Sequence, residues 1–205
     1  MRQTRMAAVV AMSLTLAGCG YNRIQQLDEQ AEQAKSNIGV ELTARNQLIP
    51  NMVATVKGAA GFERGTYTDV ARARAGQLTA AEQQLNQAQT QTRAAVESKN
   101  VNQLQQAEQA QTRAIGTYLN IAVEAYPQLR ATQNFTALQD QLAESENRIA
   151  VSRRDYNEAV RNYNTYIRQF PQAITAKVTG ATRKEPYQAP AGSEQAPTVN
   201  FDSVK

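Results

Sequence analysis

The chain has no histidine and no tryptophan, and among its 205 residues there is a single cysteine, Cys19. Without histidine it lacks the side chain that most often serves as general base or metal ligand near neutral pH. The remaining residues form no Gly-rich phosphate loop, nucleophile elbow or metal-ligand cluster, so nothing points to an enzyme, a cofactor or a metal. With no second cysteine there can be no intramolecular disulfide, and stability must come from packing. Aromatic residues make up only 6%, so the core must be built from Leu, Ile, Val and much Ala. Between Tyr21 and Phe170 the only prolines are Pro50 and Pro127. Gln, Ala, Glu and Arg fill that stretch and favour helix.

A long hydrophobic run is missing as well. The apolar stretch Met6 to Cys19 covers 14 residues and includes Ser13 and Thr15, whereas crossing the hydrocarbon core takes about 20. An uncleaved spanning anchor is therefore disfavoured. Arg2 and Arg5 ahead of this stretch and small residues at its end give the plan of a secretory signal. Leu16-Ala17-Gly18-Cys19 resembles the lipobox of bacterial lipoproteins, which implies cleavage after residue 18 and a diacylglycerol on Cys19. Membrane lipid is then the first partner, held through Cys19, since one acyl chain binds only marginally and two or three make attachment durable. Gly20, rather than Asp, after the cysteine favours the outer membrane where the cell has two.

Charge excludes one class of partner. The formal net charge of +4 comes from 22 basic and 18 acidic residues. Removing residues 1–18 takes Arg2 and Arg5 with it and leaves +2. The remaining charges are interleaved, with no basic stripe of the kind that nucleic acid requires.

Periodicity predicts an all-α fold. Ile24, Leu27, Ala31, Ala34, Ile38, Leu42, Arg45, Ile49 and Met52 follow at steps of three and four, which is one helix face. Pro50 predicts a break or kink near Ile49. The following segment, with Val53, Val56, Ala60, Tyr67 and Val70, is weakened by Gly58, Gly61 and Gly65. Gly76 and the Thr79-x-x-Glu82 capping box predict a restart. The Gln- and Ala-rich stretch from Gln83 to Gln111 reads as a hairpin turning at 98–100. Leu104, Ala107, Ala114, Ile115, Tyr118, Ile121 and Ala125 then rebuild an apolar face that ends at Tyr126-Pro127. A last helix is predicted from an Asn134 cap, with Phe135, Leu138, Leu142, Ser145, Ile149, Ser152, Tyr156, Ala159, Tyr163, Ile167 and Phe170 on one face. Beyond Gly180, the prolines at 186, 190 and 197 and Gly192 read as a loose tail. The expected organisation is a signal over 1–18, a bundle of four main long helices over 19–180, and a Pro-rich flexible tail over 181–205.

Tyr21-Asn22, Asn37-Ile38, Arg45, Leu48-Ile49-Pro50-Asn51-Met52-Val53, Thr55-Val56-Lys57-Gly58, Ala71-Arg72-Ala73, Glu124-Ala125-Tyr126-Pro127, Asn134-Phe135, Glu146-Asn147-Arg148-Ile149-Ala150, Arg154-Asp155-Tyr156-Asn157, Tyr163-Asn164 and Phe170-Pro171 together resemble the LemA family over nearly all of the chain past the signal. The resemblance implies an antiparallel helical bundle held at a membrane by its N-terminus, with no established enzymatic activity. Two residues depart from it. Cys19 stands where LemA-like proteins have a longer spanning segment, and Gln47 stands where they tend to place Asp.

The polar residues singled out are Tyr156-Asn157 and Tyr163-Asn164, one heptad apart and therefore on one face, with Arg154 beside them. One reading is a polar-aromatic strip for a partner. The favoured one makes the tyrosines core knobs with hydroxyls satisfied at the bundle edge and the asparagines register-setting residues. The carboxylates Glu124, Asp140, Glu144, Glu146 and Asp155 read as solvated helix charges or i,i+4 ion pairs. The expected function is a non-enzymatic, membrane-anchored scaffold that binds an unknown envelope protein on the exported side. The alternative is a regulatory subunit of a membrane protease or cell-wall enzyme.

Overall fold

The computed structural model describes the backbone of residues 2–62 and 69–188 and the side chains of residues 20–58 and 76–188. Within these bounds the chain is all-α, with no strand. Helix α1 runs Arg2–Phe62, α2 Asp69–Ser98, α3 Val101–Ala125 and α4 Gln133–Tyr166; a 3-10 turn, Pro127–Ala131, precedes α4, and a short α5, Gln172–Thr179, follows it. Cross-helix pairs fix the directions. Lys57 meets Glu82 at 2.8 Å while Asn46 meets Gln89, so α1 and α2 are antiparallel. Arg45 meets Glu146 at 2.7 Å and Glu41 meets Arg148 at 3.1 Å, which makes α1 and α4 antiparallel too. The tightest pairings are α1 with α4 and α2 with α3. The result is an up-down-up-down bundle.

Nine positions of the predicted α1 face, Ile24 through Met52, are all buried. Facing them are Ile149, Tyr156 and Tyr163 from α4, Ile167 just past its end, and Leu104 and Ala107 from α3. Ile49, Met52 and Val56 continue the core toward the far end with Leu85, Tyr118, Leu129, Phe135 and Leu138. The hairpin turn falls where expected. Asn100 caps α3, its Oδ1 accepting from the amides of Asn102 at 2.9 Å and Gln103 at 3.2 Å.

Four boundaries differ from the sequence reading. Helix α1 continues through Pro50 without interruption. Proline leaves the carbonyl four residues earlier without its helical donor, and that carbonyl, Asn46 O, instead accepts from Gln89 Nε2 of α2 at 3.0 Å. Asn46 Nδ2 donates in return to Gln89 O at 3.3 Å. Helix α2 passes through Gly76 and Thr79 with no restart, held by the buried Leu78, Ala81 and Leu85. Helix α4 takes Thr132 rather than Asn134 as its cap, because the 3-10 turn buries Leu129 and sets the start of the helix at Gln133. Its stripe also stops short of Phe170, which is 83% exposed; the helix ends at Tyr166, ahead of Pro171.

Residues 181–188, expected in the loose tail, form instead an extended strap lying on the bundle. Gly180, at φ 74°, closes α5 in the left-handed conformation that glycine adopts without strain and starts the strap. Among the described residues no helix is long and apolar enough to cross a membrane. The backbone of α1 is helical from Arg2, whereas the side chains of residues 1–19, Cys19 among them, lie outside the described residues. So do Ala60, Tyr67 and Val70 of the second predicted segment and the tail residues 189–205.

Candidate functional site: a cradle for an extended segment

The one-heptad spacing of Asn157 and Asn164 places two carboxamides in line along α4. Each pairs with the main chain of one strap residue through two hydrogen bonds. Asn164 Nδ2 donates to Lys184 O at 2.8 Å while its Oδ1 accepts from Lys184 N at 2.9 Å. Asn157 repeats this with Tyr187, donating to its carbonyl at 2.9 Å and accepting from its amide at 2.7 Å. A carboxamide carries one donor and one acceptor edge, as a peptide unit does, so each asparagine stands in for a strand partner. Tyr156 adds a third main-chain contact, its hydroxyl donating to Glu185 O at 2.8 Å. From α3, Gln105 Nε2 reaches Pro186 O at 3.3 Å, and Asn102 Nδ2 reaches the Glu185 carboxylate at 2.8 Å.

Two strap side chains reach carboxylates of the bundle. Lys184 Nζ lies 2.7 Å from Glu32 and 3.0 Å from Asp28 on α1, and 5.4 Å from the centre of the Tyr163 ring. Burial alone would pull the Lys184 ammonium below its usual value, but the bonds to Glu32 and Asp28 outweigh it and hold it above. Burial likewise pushes Glu32 up, and its ion pairs with Lys184 and with Lys35, 2.6 Å away, win and hold it below the usual carboxylate value. Tyr187 is buried, and its hydroxyl donates to Glu108 Oε2 at 2.5 Å. Burial first, then the Glu108 carboxylate, drives the Tyr187 phenol far above its ordinary value.

Glu108 ties the strap to a polar cluster inside the bundle. Its other oxygen meets Arg153 Nη1 at 3.0 Å, and Arg153 reaches Glu146 at 3.4 Å. Arg45, 3% exposed, donates from Nη1 to Glu146 at 2.7 Å, from Nε to Gln111 Oε1 at 2.5 Å and from Nη2 to Glu108 O at 3.3 Å. Gln111 Nε2 then donates to Asn46 Oδ1, which leads to Gln89. The two arginines balance the two glutamates. Desolvation raises Glu108, against the pull of Tyr187, Arg153 and Arg45, and lowers Arg45, against the pull of Glu146 and Glu108. Every helix of the four-helix body contributes, so the cluster fixes register across the bundle and seats the strap at one point.

Four of the five residues singled out from the sequence thus line one surface. Tyr156 and Tyr163 are buried knobs, as the favoured reading has it, but the asparagines hold the strap rather than set helix register. Arg154 is exposed and, among the described residues, bonds its own helix, Nε donating to Ala150 O at 3.3 Å. Glu144 makes an i,i+4 pair with Arg148 at 3.4 Å, and Asp140 and Asp155 are exposed. Sequence reasoning missed Gln89, Glu108, Gln111, Lys184 and Tyr187. Glu108 and Gln111 carried one available signal, a position in phase with Leu104 and Ile115.

Residues 34–201 match the profile of the LemA family. The chain belongs to the LemA family. The matched region takes in the strap, α2 to α5 and α1 from residue 34, and so includes Asn157, Asn164 and Glu108, whereas Asp28 and Glu32 precede it. Two relatives of this LemA protein are the magnetosome proteins MamQ 1 and MamQ 2 of Paramagnetospirillum magneticum. Each is 28% identical over 194 residues, covering 90% of this chain and 71% of the relative. The magnetosome protein MamQ of Magnetospirillum gryphiswaldense is 25% identical over 181 residues, covering 84% of this chain and 66% of the relative.

Proposed function

We propose that this LemA-family protein is a non-enzymatic interaction module of the bacterial cell envelope, tethered by lipid on Cys19, whose cradle reads the main chain of an extended peptide. The pair of bidentate asparagine contacts carries this reading. Recognition of backbone groups in alternation with two side-chain pockets is the logic by which proteins capture extended segments. The cradle selects for a Lys-x-x-Tyr pattern: an ammonium between Asp28 and Glu32, and a phenol on Glu108. In the resting protein the strap fills it. A partner segment of the same pattern takes its place when the strap is released.

A chain lacking residues 181–205 should bind a synthetic peptide of residues 181–188 in trans, and Asn157→Ala with Asn164→Ala should abolish that binding. Cross-linking in envelopes should recover more of one specific partner with the truncated chain than with the full one, and none with the double variant. Equal recovery from all three would sink the cradle reading. Mass spectrometry of the mature N-terminus tests the tether, and an intact Met1 in the membrane fraction would exclude it.

A further inference from the structure

Helix α5 lies against the first turn of α1 past Cys19: a Cβ on Gly20 would stand 3.5 Å from Thr175 Oγ1 and 3.8 Å from Gln172 Cγ. Its inner face is Gln172, Thr175 and the buried Ala176, packed with Ile24, Leu27, Tyr163 and Ile167. Its outer face, half a turn away, carries Ile174 and Val178, 58% and 83% exposed, with Phe170 on the preceding turn. Tyr21, on α1 beside Gly20, is 44% exposed. Four exposed large apolar side chains thus gather at one end of the bundle, whereas the two others among the described residues, Val40 at 63% and Val151 at 45%, lie apart from them on the middles of α1 and α4.

Charge says what covers them. From Ala159 to Arg183 the sequence contains no Asp or Glu, yet it contains Arg161, Arg168, Lys177 and Arg183. Arg168, Lys177 and Arg183 are exposed and make no ion pair among the described residues. Apolar side chains on a short helix, with a cation on it and others in the segments before and after it, make an interfacial element, in which the apolar face enters the acyl boundary and the cations meet anionic headgroups. The location agrees. The sequence ahead of Gly20 is the apolar stretch read as the membrane attachment, and whether Cys19 carries lipid or the stretch stays in place, residue 20 stands at the bilayer surface.

We propose that the outer face of α5, with Phe170, Ile174 and Val178, docks on an anionic lipid surface and sets the bundle's orientation on the membrane. The proposal rests on the membrane tether described above. It makes α5 a second contact, so that the strap, which starts at Gly180, is held at a fixed height above the bilayer.

The absence of tryptophan gives a silent background. The full chain, with Ile174→Trp, Val178→Trp or, as control, Val151→Trp on the middle of α4, is reconstituted on vesicles of phosphatidylglycerol and phosphatidylcholine whose acyl chains are brominated. Ile174→Trp and Val178→Trp should shift to the blue and lose about half or more of their emission, while Val151→Trp keeps its own. Vesicles of phosphatidylcholine alone should quench distinctly less. If the chain floats with the vesicles but all three positions quench alike, the docking face is overturned and the tether stands. If the chain does not float, both fall. A blue shift without bromine quenching means that a second copy covers the face, which also overturns lipid docking.

Discussion

At the scale of single residues, the strap's hold rests on the carboxamide's separate donor and acceptor atoms, spaced like those of a peptide unit. Asn157 both donates to and accepts from Tyr187, at 2.9 and 2.7 Å. An aspartate there keeps the acceptor and loses the donor; a leucine loses both. With a net of about 0.5–1.5 kcal/mol for each hydrogen bond, Asn157→Leu should weaken strap docking by about 1–3 kcal/mol and Asn157→Asp by less. The check is hydrogen exchange at the Tyr187 amide, expected to speed up in the order wild type, Asp, Leu, while amides in the middle of α1 stay unchanged. Equal protection in all three proteins would show that the burial of Tyr187 alone holds the strap. The pattern Tyr-Asn repeated after seven residues was legible in the sequence as a face with special chemistry. Its occupant was not, because two isolated residues, Lys184 and Tyr187, in a segment rich in turn formers carry no periodicity that would assign them to a groove.

At the scale of elements, the apolar faces were readable because burial follows the helical repeat: every position of the α1 face is buried. Boundaries were less readable, since they depend on side chains of other helices. Pro50 shows this best. Its local rule predicts a break or kink, and α1 stays unbroken with Gln89, 39 positions further along the chain, whose amide serves the carbonyl that proline leaves without a donor. Gln89→Leu should therefore cost about 1–3 kcal/mol, the range for an unsatisfied buried polar group. In a Pro50→Ala background the helix supplies its own donor to Asn46 O, so the same substitution should cost much less. Urea denaturation of the four proteins gives the coupling directly. Additive effects would mean that the Asn46 carbonyl does not depend on Gln89. The buried Glu108 and Gln111 failed to register for a related reason. A polar residue in phase with an apolar stripe looks like an interruption until the opposing Arg45 and Asn46 are known to meet it.

At the scale of the whole molecule, the strap is fastened at two ends whose responses to pH oppose each other. At the Lys184 end, Glu32 sits below its ordinary value, so its contribution to the folded, strapped state is present above pH 4.5 and is lost as the pH falls through the lowered value. Lys184, held above 10.5, contributes throughout that range and fails only in strong alkali. At the Tyr187 end, Glu108 sits above 4.5, because burial disfavours its charge. The folded chain therefore gains as Glu108 takes up its proton on acidification, against the pull of the Tyr187 bond, and that gain is complete below 4.5. A protonated Glu108 still accepts from the Tyr187 hydroxyl through its carbonyl oxygen. Acid should thus unfasten the strap from one side. Below about pH 4.5, hydrogen-exchange protection, corrected for intrinsic rates, should fall first at the Lys184 amide, which Asn164 holds, while the Tyr187 amide on Asn157 stays protected. Glu32→Gln should already show the loosened Lys184 amide at neutral pH and flatten its acid response. If both amides lose protection together in the wild-type protein, the strap comes off as one unit and the two anchors do not act separately.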